Sequence, residues 1–249
     1  GLTSIGGDNN SGLMISGFMN VTGNMASGLH FSGIANITGQ SFGGLMASGL
    51  LNVVGEHMNG LQIAGIANIT ASKLNGVQVA LCNYATKARG LQIGLVNYYK
   101  EDMKGFQLGL VNANPDTKVQ MMVYGGNATP ANIGVRFKNQ LFYTILGVGS
   151  MYQGLNDKFS ASASYRAGLS FPLYKGLSIS GDLGYQHIEA FDNKDEVIPK
   201  RLYALQARAN LEYQFTKKFG IFATGGYGVT RFYNKSGNYD KGAIIEAGI

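Results

Sequence analysis

A glycine-led motif returns seven times between Gly12 and Asn112, and it constrains the fold more than any other feature of this chain. The copies run Gly12–Asn20, Gly28–Asn36, Gly44–Asn52, Gly60–Asn68, Gly76–Asn83, Gly90–Asn97 and Gly105–Asn112, and the leading glycines are spaced 16, 16, 16, 16, 14 and 15 apart. A period of this length is one strand plus one turn, so every copy is expected to supply one strand. The last three copies are one residue shorter, and the residue missing from them reads as the second glycine, represented in the long copies by Gly17, Gly33, Gly49 and Gly65. A one-residue change turns every later side chain to the opposite face unless a bulge absorbs it, and glycine suits such a bend.

Charge separates the two halves. No Lys or Arg precedes Lys73, and Asp8 and Glu56 are the acidic residues of that stretch. A free-standing soluble solenoid would carry charge on its outer face, so the segment is expected to be covered by lipid, by a barrel wall or by a partner. The whole chain is 14% charged with 37 glycines among 249 residues, whereas a soluble domain carries about 25% charge. No apolar run reaches the roughly 18 residues of a membrane helix. The net charge of +6 comes without a basic cluster of the kind that grips nucleic acid, and anionic lipid headgroups are a better use for it. Cys82 is the single cysteine, which excludes an internal disulfide.

The second half alternates. From Phe159 to Leu173, from Leu177 to Tyr185 and from Tyr203 to Phe215, odd positions are apolar or aromatic and even positions small or polar. Such alternation over long strands is the signature of a transmembrane β-barrel, one face to lipid and one to the lumen. Pro172–Gly176 and Thr216–Gly220 read as tight turns, and Gln153–Lys158, Phe191–Lys200 and Asn234–Lys241 as longer loops. Tyr165, Phe171, Tyr185, Tyr203, Tyr213 and Phe215 are placed as an interfacial girdle would place them.

The segment Gly90-Leu-Gln-Ile-Gly-Leu-Val-Asn97 and the later Gln140–Gly149 resemble the outer-membrane surface-repeat proteins of the LA_2272 type, found in Bacteroidota and in spirochaetes. The resemblance spans most of the chain and implies an outer-membrane location without implying an activity. Barrels of this kind close on a terminal aromatic; a chain stopping at Gly248-Ile249 is expected to lack a few residues.

Chemistry is sparse. None of His30, His57 and His187 pairs with another His, Asp or Glu at ligand spacing on one strand face, so no metal site is expected; His187 has the parity of the lipid-facing set, and His30 stands in a slot that Gln62, Gln78, Gln92 and Gln107 hold in other copies. No Gly-x-Ser-x-Gly elbow marks a nucleophile, and no cofactor or enzymatic activity is expected. The inward parity carries charges at Arg166, Asp182, Arg208, Glu212 and Glu246. Of mixed sign, they would form a salt-bridged plug in a narrow barrel or line a pore in a wide one, and the plug is preferred. The repeated Asn20, Asn36, Asn52, Asn68, Asn83, Asn97 and Asn112 would form a hydrogen-bonded ladder, end each strand at a turn, or capture a ligand.

The preferred architecture is all-β: one closed antiparallel outer-membrane barrel of about 14–16 strands, with residues 1–116 as the repeat region and 117–249 as further membrane strands continuous with it. Its alternative stacks the glycine-rich repeats into a parallel β-solenoid followed by a barrel of about eight strands. The expected role is a structural or accessory envelope protein, such as a subunit of a larger complex, in contact with membrane lipids and lipopolysaccharide. A passive pore for small solutes and a surface adhesin or ligand-binding protein are its rivals.

Overall fold

The computed structural model describes residues 1–150, 159–191, 201–234 and 236–249. The proposed loop Gln153–Lys158 and all of Phe191–Lys200 except Phe191 lie outside the described residues, as does Lys235 in the loop Asn234–Lys241. Every regular element described is a strand, and the chain divides into two compact units, Gly1–Asp116 and Thr117–Ile249.

The first unit is a parallel β-solenoid. Its strands are β1 (Thr3–Gly6), β2 (Asn9–Ser16), β3 (Met19–Thr22), β4 (Met25–Ser32), β5 (Ala35–Thr38), β6 (Ser41–Ser48), β7 (Leu51–Val54) and β8 (His57–Ala64). Three longer strands, β9 (Ala67–Val79), β10 (Cys82–Ile93) and β11 (Val96–Leu108), then precede the short β12 (Val111–Ala113). The short strands pair in the order β1-β3-β5-β7-β9 and the long ones β2-β4-β6-β8-β9, all parallel. Each early copy therefore contributes to two strands, one on each side of its corner. From Ala67 onward the chain passes between the two sheet faces within one strand, as the spacing falls from 16 to 14 and 15.

This overturns the single barrel of about 14–16 strands with one strand per repeat. In-register parallel pairing sets each residue on its own counterpart: Gly28 on Gly12, Leu29 on Leu13, Asn36 on Asn20. Antiparallel hairpins would reverse alternate copies and set unlike residues together, so identical repeats favour the parallel stack. The glycines make the stack possible. Gly28 has φ +105°, and a Cβ there would lie 2.2 Å from the Gly12 carbonyl oxygen; at the corner, a Cβ on Gly33 would lie 2.0 Å from that of Gly17.

The sequence reading of the shortened copies also needs correction. Their two-residue corners are Ala80–Leu81, Gly94–Leu95 and Gly109–Leu110, so copies six and seven retain a corner glycine. The preceding strand instead ends one residue sooner, at Ile93 where β2 runs to Ser16. The corner absorbs the change of parity, and Asn83, Asn97 and Asn112 remain buried.

The second unit is an eight-stranded antiparallel sheet: β13 (Lys118–Gly126), β14 (Ala131–Asn139), β15 (Phe142–Ser150), β16 (Ser160–Tyr174), β17 (Leu177–Ala190), β18 (Arg201–Gln214), β19 (Gly220–Phe232) and β20 (Asn238–Gly248). Each strand pairs with the next, and β20 returns to β13 through Tyr124↔Gly248, Gly125↔Ala247 and Gly126↔Glu246, which closes the sheet on itself. The turn expected over Pro172–Gly176 is tighter than that: β16 and β17 pair up to Tyr174↔Leu177, leaving Lys175 and Gly176, both with positive φ. Positive φ at both central residues is what a two-residue hairpin turn requires. At Thr216–Phe219 the Thr216 hydroxyl accepts from the backbone N–H of Lys218 and Phe219, a side-chain substitute for a backbone turn bond.

Candidate functional site

The interior of the second unit gathers the residues with most chemical potential. Alternation along β16, β17, β18 and β20 turns Arg166, Asp182, Arg208, Glu212 and Glu246 inward, and Arg166 keeps 1% of its surface exposed. Arg166 binds Asp182 through two parallel bonds, Nε to Oδ1 and Nη2 to Oδ2, both 2.8 Å. Its Nη1 lies 3.5 Å from Glu246, whose carboxylate also takes Arg208 at 3.2 Å. Charges this deeply buried persist only when paired and hydrogen-bonded.

Further polar side chains complete the network. Arg136 on β14 pairs with Glu212 on β18 at 2.7 Å, and its guanidinium lies 4.0 Å from the centre of the Tyr143 ring. The Ser180 hydroxyl donates to the other Glu212 oxygen at 2.6 Å. The Tyr143 hydroxyl and the Asn210 amide both donate to Asp182 Oδ2, at 2.8 and 2.9 Å. Toward the other mouth, Arg208 donates to Gln206, Gln206 to Gln186 and Gln186 to Ser162. Many of these bonds are chords: they join β14 to β18, β16 to β20 and β15 to β18, strands that are not neighbours in the sheet. The three arginines face three carboxylates, Asp182, Glu212 and Glu246.

All five sequence-selected charges thus meet in one network, and Arg136, Tyr143, Ser180, Gln186, Gln206 and Asn210 join it. Arg136 was legible: Ile133, Val135 and Phe137 alternate with Gly134, Arg136 and Lys138. Tyr143 was not, because its neighbours Phe142, Thr144 and Ile145 show no alternation. Above the network a hollow of about 240 Å³, lined in part by Asn127, Gln206, Thr230 and Asp240, opens at the mouth away from the short turns.

The outer face is its opposite. Val119, Met121, Val123, Ile133, Val148, Leu183, Leu205, Leu211, Ile221 and Ile245 are all exposed, Met121 and Leu183 to 77% and 72%.

In the solenoid the asparagines form a continuous ladder. Each Nδ2 donates to the next Oδ1, from Asn20 through Asn36, Asn52, Asn68, Asn83 and Asn97 to Asn112, at 2.8–3.0 Å. The same amides donate to backbone carbonyls of the following coil, as Asn52 does to Ile63 at 2.7 Å. The row is buried, which leaves it no face for a ligand. A second ladder runs through the glutamine slot, Gln107 to Gln92 to Gln78 to Gln62, at 2.8–2.9 Å. His30 takes that slot in its own coil, stacked between Met14 and Met46 and edge-on to Phe42 at 4.8 Å. Burial there lowers its pKa from the ordinary 6.5. His57 is exposed on the solenoid surface, and His187 faces outward from β17, bonded to the Tyr233 hydroxyl at 2.7 Å and, contrary to the expectation that no histidine pairs with an acid on one strand face, to Glu189 at 3.2 Å. No group of three potential metal ligands occurs among the described residues.

Comparison with known proteins finds no matching family model, no matching curated protein and no matching solved structure.

Proposed function

We propose that Thr117–Ile249 is an integral outer-membrane β-barrel with a lumen closed by its own side chains, and that the protein is a structural or accessory component of the envelope. One observation carries this reading: the eight strands turn an apolar face outward and a network of paired charges inward. A water-soluble barrel has the reverse economy, with its apolar residues inside. Dimensions agree. From Tyr203 to Tyr213 on β18 the strand climbs about 34 Å, and a barrel tilt near 40° projects this onto about 25 Å, the height of a membrane barrel's apolar band. The likeness of the repeats to outer-membrane surface-repeat proteins points the same way.

Eight strands leave an interior that side chains just fill, and cross-lumen ion pairs occupy it here, so the barrel serves as an anchor rather than a conduit. Planar-bilayer recording tests this. Purified full-length protein is expected to insert into vesicles and to give no stable open steps; steps of defined size would favour the passive-pore reading. Protein that stays monodisperse in detergent-free buffer and ignores vesicles would sink the membrane assignment itself.

A further inference from the structure

We propose that the outer face of β17–β20, at the end of these strands away from the short turns, holds the phosphate of an anionic lipid headgroup. This rests on the membrane reading above. Its basis is where charge sits on the barrel exterior. Following the cross-strand register, the charged residues that point outward from the described strands are Glu189, Arg201, Arg231 and Lys241. All four occupy one patch, and the outward positions of β13–β16 carry none.

The patch is cationic and arranged. Glu189 is opposite Arg201 and bonds to its Nε at 3.0 Å, so that pair is spent locally. Arg231 lies opposite Tyr203, and Lys241 opposite Val229, one strand over and two residues nearer the apolar band. On a regular ladder such diagonal neighbours lie about 7–8 Å apart at the backbone; here a register shift between Thr230 and Arg231 intervenes, with Asn238 opposite Arg231, and two long cationic side chains can close around one phosphate across it. Arg231 donates Nε to Asn238 at 3.1 Å, and among the described residues neither Arg231 nor Lys241 has an acidic side chain within ion-pair distance. Asp240, beside Lys241, has the inward parity and its carboxylate accepts the Lys241 backbone N–H.

Aromatic rings frame the cations. Tyr203 and Tyr233 have centroids 5.0 Å apart, His187 and Tyr233 5.5 Å, and Tyr185 and Tyr203 stack at 6.1 Å; the Tyr233 hydroxyl bonds both His187 and Tyr185. Immediately inside this frame the outward residues become Leu205 and Val229. Rings with polar tips at the edge of an apolar wall belong at a membrane interface. Cations set among them at that depth meet headgroup phosphates, where a guanidinium offers a planar two-bond grip. A freely diffusing anion would need no apolar wall beneath it. At the opposite rim Lys175, whose ammonium lies 5.2 Å from the centre of the Tyr174 ring, and Lys217 and Lys218 belong to the short turns and not to the outward register of a strand.

The test uses full-length protein reconstituted into phosphatidylcholine vesicles with and without phosphatidylglycerol, with retained phosphatidylglycerol counted by native mass spectrometry. The double variant Arg231→Gln with Lys241→Gln is expected to weaken phosphatidylglycerol retention about 25-fold, at about fivefold per cation near an anionic surface. Lys217→Gln with Lys218→Gln, at the opposite rim, should leave it within about twofold. Equal retention by both variants overturns the proposal. So does displacement of the lipid by inorganic phosphate, which would mark a site for a soluble anion. Insertion into pure phosphatidylcholine is read separately: wild-type protein that fails to insert refutes the membrane barrel, whereas insertion with unchanged lipid preference refutes this site alone.

Discussion

The solenoid and the barrel both bury rows of polar side chains, and they do so with opposite chemistry. Along the solenoid, a residue meets its own copy in the next coil, about 4.8 Å away. A side chain stacked on itself must be its own partner. An amide is, since its N–H donates to the next carbonyl oxygen, and both buried ladders are amides, Asn20 to Asn112 and Gln62 to Gln107. A column of buried arginines or aspartates at that spacing would repel itself. The barrel has no translational repeat, so residues facing each other across the lumen differ, and opposite charges become usable: Arg166 with Asp182, Arg136 with Glu212, Arg208 with Glu246. Repetition selects neutral, self-complementary groups, and its absence permits ion pairs.

The comparison breaks hardest at the ion pairs. Asp182→Ala takes from Arg166 its two-bond partner and from Tyr143 and Asn210 an acceptor, and should cost about 3–5 kcal/mol, whereas Arg166→Met combined with Asp182→Leu should cost less, because both charges of the pair leave together. Urea unfolding in detergent measures both, and an additive double variant would show that the pair is not coupled. The outer faces give the next effect. On the proposed membrane reading, Leu183→Arg should destabilise the barrel in a bilayer by about 2–4 kcal/mol, while Leu13→Arg on the exposed solenoid surface should stay within about 0.5 kcal/mol. Similar small effects at both positions would remove the ground for placing the barrel in lipid.

Asn52→Ala interrupts the ladder. It removes the acceptor of Asn36 and the donor to Asn68, leaving two buried groups unsatisfied, for about 2–3 kcal/mol. Backbone hydrogen exchange should quicken in the coils on either side of residue 52 and not in the barrel; uniform change across the chain would contradict a nearest-neighbour stack. The smallest effect is a pH dependence at His30. Its pKa is lowered in the folded state, so the folded protein binds fewer protons than the unfolded one. The stabilisation from keeping the ring neutral is complete above about 6.5 and is lost as pH falls through the lower folded-state value, no faster than about 1.4 kcal/mol per pH unit. His30→Gln, which matches the other copies, should flatten this profile in the solenoid while leaving the barrel unchanged.

Legibility in the sequence follows the same division. Alternation alone located the five lumen charges, because a strand with one face in a closed interior must repeat every two residues. It did not locate Tyr143, whose stretch Phe142–Ile145 has hydrophobic residues on both parities. In the repeats, the shortened copies misled: Gly94 and Gly109 were aligned against the wrong residue, since a motif written as a string does not say which position a corner can drop. The asparagines were visible as a row, but a ladder and a set of turn residues have the same spacing.

What this sequence determined by itself is periodicity: a coil of about 16 residues in the first unit, a two-residue alternation in the second, and glycines wherever backbones approach too closely for a side chain. What only the tertiary structure decided is the direction in which neighbouring strands run and which strands meet. Parallel or antiparallel pairing leaves each strand's own pattern unchanged, so the pattern could not choose between one large barrel and a solenoid followed in the chain by a small one. The choice lies in contacts between residues 14 to 16 apart in the first unit and across the lumen in the second, where hydrogen-bond partners exist only once the chain is folded.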